Sequence, residues 1–551
     1  MSEEARVLGI IVAEFGTSRR LPSRLADDFC GRPVLAHAVD RLLRVQGVGE
    51  VAVVTDRLDE AARIVGLEDR VRFVDLVPRP PAIDKRVRIG RAWNLLAWRG
   101  GAGQYTAFDE EYHPAAIAQA AAGAFEGKGA EHVLVVHSHA VMLNVELTSA
   151  LVHHHLHKNH EMRVTYTPAA PGLSGMALRG DIVKEMGEKG AMPWQLLAYD
   201  PKQPIFDTLI REACMQVDPA LSKVPNRFCV DTQRSWDICI DLAKYSFGTL
   251  AEMCLAAARA VAPGVNVPAQ VSAWPREVEI ELTARRLTHP PGAVPAEIAA
   301  QRAVLDAGHW VRWLERHGRV ADDLLVTVGG DGDPLLHPGL PDVLAALRKA
   351  GALSICVQTD LIAPNVDGLL TAVSQGNVDI VSVTTYGHTA ETYEKVAGAD
   401  WHSQMIKNLE RLAETTRAQG GMPLVIPRLL KVRDTIPELE PFFDFWVERT
   451  GWAVIDGPTD RAGTVPFAGV VDMAPPRRKP CRRIWERMII RSDGTAAACD
   501  QDLHARLAAG HIEQLTIPQL WRNLQNLRDR HAAGKWNEID PCQNCREWHR
   551  P

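Results

Sequence analysis

No apolar run in the 551-residue chain reaches the ~18 residues a membrane-crossing helix needs, because Arg, Asp, His or Gly interrupts each one early. No membrane-spanning helix is expected. The opening Met1-Ser2-Glu3-Glu4 is acidic and lacks the basic and apolar regions of a secretory leader, so a cytoplasmic setting that keeps thiols reduced is expected. Excess positive charge is missing too. The 62 Lys and Arg stand against 68 Asp and Glu, for a net charge of −6, which argues against nucleic-acid binding as the main role. There is no internal repeat and no low-complexity tract. Cysteine is also missing from residue 255 to residue 355.

Four of the ten cysteines crowd instead between Pro480 and Pro551: Cys481, Cys499, Cys542 and Cys545. The last two form a C-x-x-C, whose tight loop points two thiols to one side. Cys481 and Cys499 flank Met488 to Ala498, a stretch that reads as a hairpin turning at Asp493-Gly494. A hairpin returns its ends to one edge, so these two thiols converge as well. Four soft ligands suit zinc or an iron–sulfur cluster; ordinary buried thiols are the bland alternative. The long Cys481–Cys499 spacing is unlike the paired short knuckles of a zinc ribbon and favours the cluster.

A chain of this length exceeds one hydrophobic core, and two to four domains are expected. Residues 1–265 alternate strand and helix: Val7 to Ala13, then a helix from Pro33, then Val51 to Asp56, which implies a parallel sheet covered on both faces. The loop Gly16-Thr17-Ser18-Arg19-Arg20-Leu21-Pro22 follows the first strand and can offer N–H groups and the cations Arg19 and Arg20 to phosphates. Strand His132 to Val136 runs into His137-Ser138-His139. These two histidines are either a soft-metal pair or satisfied residues at a strand end. His153-His154-His155 and His157 sit on a predicted helix, where consecutive residues point in different directions and do not converge on one ion. A helix is predicted from Leu242 to Ala262, then a linker at Pro263 to Pro268.

Residues 274–475 repeat the strand–helix pattern. Strand Glu277 to Thr283 leads to a helix from Pro295 to His317 and then strand Leu324 to Val328. Next come the loop Gly329-Gly330-Asp331-Gly332-Asp333-Pro334 and strands Ser354 to Asp360 and Val378 to Thr384. This suggests a full or partial (β/α) barrel with its site at the strand C-termini.

Three resemblances follow from these residues. The tail, residues 476–551, resembles the SPASM or shorter twitch domain of radical S-adenosylmethionine enzymes. It carries Cys481, Arg487 to Ile490, Asp493-Gly494, Cys499-Asp500, Gly510-His511-Ile512, Leu520-Trp521 and the final C-x-x-C. That likeness implies one auxiliary 4Fe–4S cluster on Cys481, Cys499, Cys542 and Cys545, and a peptide or protein partner. The middle resembles the radical S-adenosylmethionine barrel. Its glycine loop stands where the family receives the cofactor's methionine, which implies Gly329, Gly330 and Gly332 for close backbone approach and Asp333 to meet the ammonium. Where that family has C-x-x-x-C-x-x-C, this chain reads Ala284 to Ala293 without a thiol. Cleavage of S-adenosylmethionine is not expected, and the loop either still binds the cofactor or survives as a scaffold turn.

The opening resembles sugar-nucleotide cytidylyltransferases through Gly16 to Pro22 and Gly31-Arg32-Pro33-Val34-Leu35. That implies a doubly wound, Rossmann-like domain and a nucleotide ligand. The carboxylate that the family sets after its middle strand to hold magnesium is missing here. The order of the three parts is similar to the spiro-SPASM architecture. Two functions are expected: an iron–sulfur protein without cofactor cleavage, or a nucleotidyltransferase with atypical metal ligands such as Asp56 and Asp109.

Overall fold

The computed structural model describes residues 7–16, 23–66, 68–77, 113–158, 163–190, 213–222, 227–259, 272–363, 365–481 and 483–550. Arg19, Arg20, Asp109 and the tryptophan-bearing stretch at 93–101 lie outside the described residues. Among the described residues no helix is long and apolar enough to cross a membrane.

The described strands form two large sheets and a small ribbon, β2 (Asp28–Phe29) with β3 (Arg32–Pro33). The first sheet holds β1 (Val7–Ala13), β4 (Val48–Thr55), β5 (Val71–Asp75), β6 (His132–Val136), β7 (Val164–Thr165) and β8 (Met176–Arg179), in the order β5-β4-β1-β6-β8-β7. β5, β4, β1 and β6 run parallel, while β8 is antiparallel to both β6 and β7. All seven positions of β1 are buried, because helices cover both faces. Val7, Ile11 and Ala13 pack on one side with helix Val34–Leu43; Leu8, Ile10 and Val12 pack on the other with helices Pro114–Ala122 and Gly180–Lys189. This is the period of two that a strand requires. Gly9 lets helix Val34–Leu43 sit close to β1: a Cβ there would stand 2.9 Å from the Leu42 side chain.

The second sheet has nine strands. Six run parallel in chain order: β9 (Glu277–Ile280), β10 (Leu325–Val328), β11 (Ser354–Thr359), β12 (Ile380–Thr385), β13 (Leu424–Leu430) and β14 (Val454–Asp456). The tail then joins the free edge of β9. β15 (Arg487–Ile490) pairs parallel with β9 from Arg487↔Glu277 to Ile490↔Ile280, and β16 (Thr495–Ala497) and β17 (Ala508–His511) continue the sheet antiparallel. The segment expected as a third unit therefore shares its sheet with the second. One hydrophobic core runs through both, from Trp310 and Leu344 to Ile490 and Trp521. The hairpin turns at Asp493-Gly494, as its sequence implies: Gly494 adopts φ +87°, and Arg491 N–H donates to the Thr495 carbonyl at 2.9 Å.

Two helices expected as continuous are broken. Pro295 to His317 forms Ala296–Gln301 and Ala307–His317, separated where Arg302 turns extended. Its guanidinium reaches inward to two carboxylates, and Asp306 restarts the helix as N-cap by accepting the His309 N–H at 3.0 Å. The stretch from Leu242 to Ala262 contains the end of helix Gln233–Ala243 and the helix Leu250–Arg259, divided around Gly248, with Thr249 accepting the Glu252 N–H at 3.2 Å. The helix Gln233–Ala243 also joins the two sheets. Gln233 N–H donates to Asp322 at 2.9 Å, Arg234 donates to Asp323 at 2.6 Å, and Arg234 also donates to the Trp274 and Pro275 carbonyls at 3.2 Å.

Candidate metal centre

Cys481 precedes a short helix, Arg483–Glu486, that feeds directly into β15, and Cys499 follows β16. Pairing of the two strands brings these residues to one end of the hairpin. Cys542 begins a single 3₁₀ turn, and Cys545 closes it by donating its N–H to the Cys542 carbonyl at 3.1 Å. All four line one cavity holding about 410 Å³ of atom-free space, its opening to solvent included. Cys481 and Cys542 are buried; Cys499 and Cys545 are half-buried.

The walls are held by cations. Arg528 is fully buried and stacks on Trp521 at 3.7 Å. It donates to the Ile484 carbonyl at 2.9 Å, fixing the helix beside Cys481. Arg483 and Arg487 donate to Asp500, next to Cys499, at 2.9 and 3.2 Å. Arg487 also donates to Glu279 on β9 at 2.8 Å, so the loop carrying Cys499 is tied to the parallel strands. Arg478 donates to the Cys542 carbonyl at 2.6 Å.

Burial, then their nearest thiol neighbours, pushes Cys542 and Cys545 up to about 12; burial, Asp500 and the other thiols raise Cys499 well above its ordinary value. The metal-free thiols are therefore neutral, and a metal centre would take the place of their protons. Among the described residues no three His, Cys, Asp or Glu side chains are arranged to hold a single metal ion. Four thiols lining one cavity are the donor set that an iron–sulfur group takes.

His531 also lines this cavity, and sequence reading passed over it. It sits on helix Gln525–Ala532 in a run of charged residues that looks like an ordinary helix end. Only folding brings it to Cys542. Burial, then Arg478 and Arg530, lowers its pKa to about 4, so it is neutral.

The C-terminal ends of β9 and β10 form a second expected centre, and here the space is filled. Gly332 packs on the loop that would have carried thiols: a Cβ on it would lie 2.1 Å from the Thr283 carbonyl oxygen. Asp333 is buried, and its carboxylate accepts the Leu335 N–H at 3.0 Å, the Thr359 hydroxyl at 2.8 Å and the Asp360 N–H at 3.1 Å. Burial, then Asp360, raises its pKa to about 6. These bonds direct Asp333 to two backbone N–H groups and the Thr359 hydroxyl. Arg286 lies 3.5 Å from Asp360, which also accepts the Thr288 and Tyr386 hydroxyls at 2.7 Å each.

Beside it, Arg302 donates to both oxygens of Glu281, at 3.0 and 2.9 Å, and to Asp331 at 2.6 Å. Arg461 approaches the other oxygen of Asp331 at 2.9 Å. Burial and Asp331 raise Glu281 to about 7. Burial alone would raise Asp331 too, but Arg461 and Arg302 hold it below its ordinary value. No thiol belongs to this network, and the residues present do not fit an iron–sulfur cluster.

The remaining candidates divide. Asp56 accepts the N–H groups of Phe15 and Gly16 at 2.7 and 2.9 Å, fixing the start of the loop after β1 rather than capping the next helix. His137 and His139 lie beyond β6 in a turn, not on the strand: His139 N–H donates to His137 Nδ1 at 3.2 Å, and His137 stands 3.7 Å from Asp231. His155 turns inward to His132 and Thr165, at 3.1 and 2.8 Å, while the rings of His153 and His157 face each other 4.5 Å apart.

Residues 481–546 match the SPASM family, an iron–sulfur cluster-binding domain. This part of the chain is thus similar to domains that bind such clusters. An uncharacterized protein of Treponema pallidum (strain Nichols) is 26% identical over 249 residues, covering 43% of this chain and 67% of that one. A 3-deoxy-manno-octulosonate cytidylyltransferase of Anaeromyxobacter sp. (strain Fw109-5) is 46% identical over 63 residues, which span 11% of this chain and only 25% of the enzyme. A solved structure of Streptococcus suis SuiB bound to precursor peptide SuiA is similar at 12% identity and a TM-score of 0.40, over 55% of this chain and 76% of that one.

Proposed function

We propose that the chain is an iron–sulfur protein of the radical S-adenosylmethionine/SPASM superfamily that holds one auxiliary 4Fe–4S cluster through Cys481, Cys499, Cys542 and Cys545 and does not cleave S-adenosylmethionine. The observation that carries this reading is the convergence of four thiols from two separated stretches on one cavity. The filled mouth of the parallel sheet supports its second half. When bound, the cluster supplies one-electron chemistry or a rigid cross-link between hairpin and tail. The protein's own part is to shield it with Ile484 and Trp548, to fix its ligands through Arg478, Arg483 and Arg528, and to present the surface around them to a peptide or protein partner.

The test is anaerobic purification with iron, sulfide and zinc counted per chain. About four irons with matching sulfide are expected. One zinc without sulfide would overturn the reading, as would release of 5′-deoxyadenosine from S-adenosylmethionine under reducing conditions.

A second reading, nucleotide binding or cytidylyl transfer by the first sheet, is favoured by the cytidylyltransferase match. Asp56 serves backbone there, so this reading needs a metal site among other residues. Titration with CTP and magnesium tests it, and absence of binding would refute it.

A further inference from the structure

We infer that His531 is a positioning residue for the cluster, its Nε2–H donating to the Cys542 sulfur while its Nδ1 accepts the Cys481 backbone N–H. This rests on the four cysteines being cluster ligands, as proposed above. Nε2 lies 3.4 Å from the Cys542 sulfur, and Nδ1 lies 3.4 Å from the Cys481 nitrogen. The second contact settles the direction of the first. A backbone amide only donates, so Nδ1 is the acceptor, and the neutral ring carries its proton on Nε2, facing sulfur. One imidazole thereby joins two ligands that are far apart in the chain.

The ring has little freedom to do otherwise. It is 1% exposed and packs against Trp536 at 6.3 Å. The helix that carries it is fixed one turn earlier by Arg528, through the Ile484 carbonyl and Trp521. The four ligands are consequently unequal. Among the described residues, Cys545 receives a local backbone donor, the Glu547 N–H at 3.3 Å, whereas Cys542 receives a side chain from a different element. Hydrogen bonds to cluster sulfurs offset the negative charge gained on reduction and so raise the potential. His531 is therefore expected to hold the potential up and to mark one ligand for asymmetric electron density.

The experiment uses the full chain, loaded with iron and sulfide, carrying ¹⁵N-histidine, and reduced for pulsed electron paramagnetic resonance. Wild type is expected to show ¹⁵N coupling from one histidine. His531→Leu is expected to lose that coupling and to move the midpoint potential to a more negative value. His531→Gln, whose amide N–H stands near the Nε2 position, is expected to recover part of the shift. A normal cluster signal without ¹⁵N coupling in wild type overturns the inference, as does an unchanged potential in His531→Leu. If the leucine variant takes up no iron, the labelled wild type decides alone. Wild type with neither iron, sulfide nor signal overturns the cluster reading beneath it.

Discussion

The thiol cavity and the strand-end mouth lie on the same nine-stranded sheet, and β9 touches both. Glu279 on β9 ties Arg487 toward the cavity; Glu281, just past the end of β9, ties Arg302 at the mouth. At the cavity the polar groups stand behind the thiols and leave a space. At the mouth they fill the space themselves: two carboxylates and two guanidiniums meet, and Gly332 closes on the Thr283 carbonyl. The carboxylates and guanidiniums at the mouth are each other's partners, because buried charges left unpaired are costly.

The largest effect is expected from removing thiols at the cavity. Cys542→Ser with Cys545→Ser is expected to lose nearly all bound iron and sulfide, while Cys356→Ser, on β11, leaves the iron count unchanged. Equal losses from both would dissolve the distinction. At the mouth, Arg302→Met leaves Glu281 and Asp331 buried without their shared partner. It should cost about 3–5 kcal/mol in urea unfolding of the apo-protein, and iron bound per folded chain should stay as in wild type. A loss below about 0.5 kcal/mol would mean the network is not a buried one.

The smallest effect concerns pH. Glu281 keeps its proton in the folded chain up to about pH 7, against an ordinary value of 4.5. Its contribution to stability is complete below that ordinary value and is lost as pH rises through 7. Glu281→Gln is neutral throughout, so the difference between wild type and variant should narrow or reverse from about pH 5 to about pH 8, read as urea midpoints. A constant difference would place no proton on Glu281.

Much of this was legible from local pattern. The apolar run of β1, the Asp493-Gly494 turn and the C-x-x-C each depend on neighbours a few positions away, and each lies where its residues indicate. The broken helix at Arg302 was not legible, because its cause is two carboxylates on other elements. Asp333 shows the same limit from the other side. Its place in a glycine-rich loop points to a ligand, but its oxygens are taken by Leu335, Thr359 and Asp360. His531 carried no signal at all: a histidine near a helix end is unremarkable until the chain turns back through Asp540 to Cys545.

By itself the sequence determined several of the strands, where the hairpin turns, and that four thiols are available at one end of the chain and none from residue 255 to residue 355. Those properties follow from side-chain period, turn chemistry and composition, which act over short spans. Tertiary structure alone decided that the tail adds to the edge of β9, that Arg302 and Arg461 fill the mouth, and that His531 faces a cysteine sulfur. Such partners are chosen by which buried polar groups can satisfy one another after the chain has closed, and nothing in their spacing along it specifies that choice.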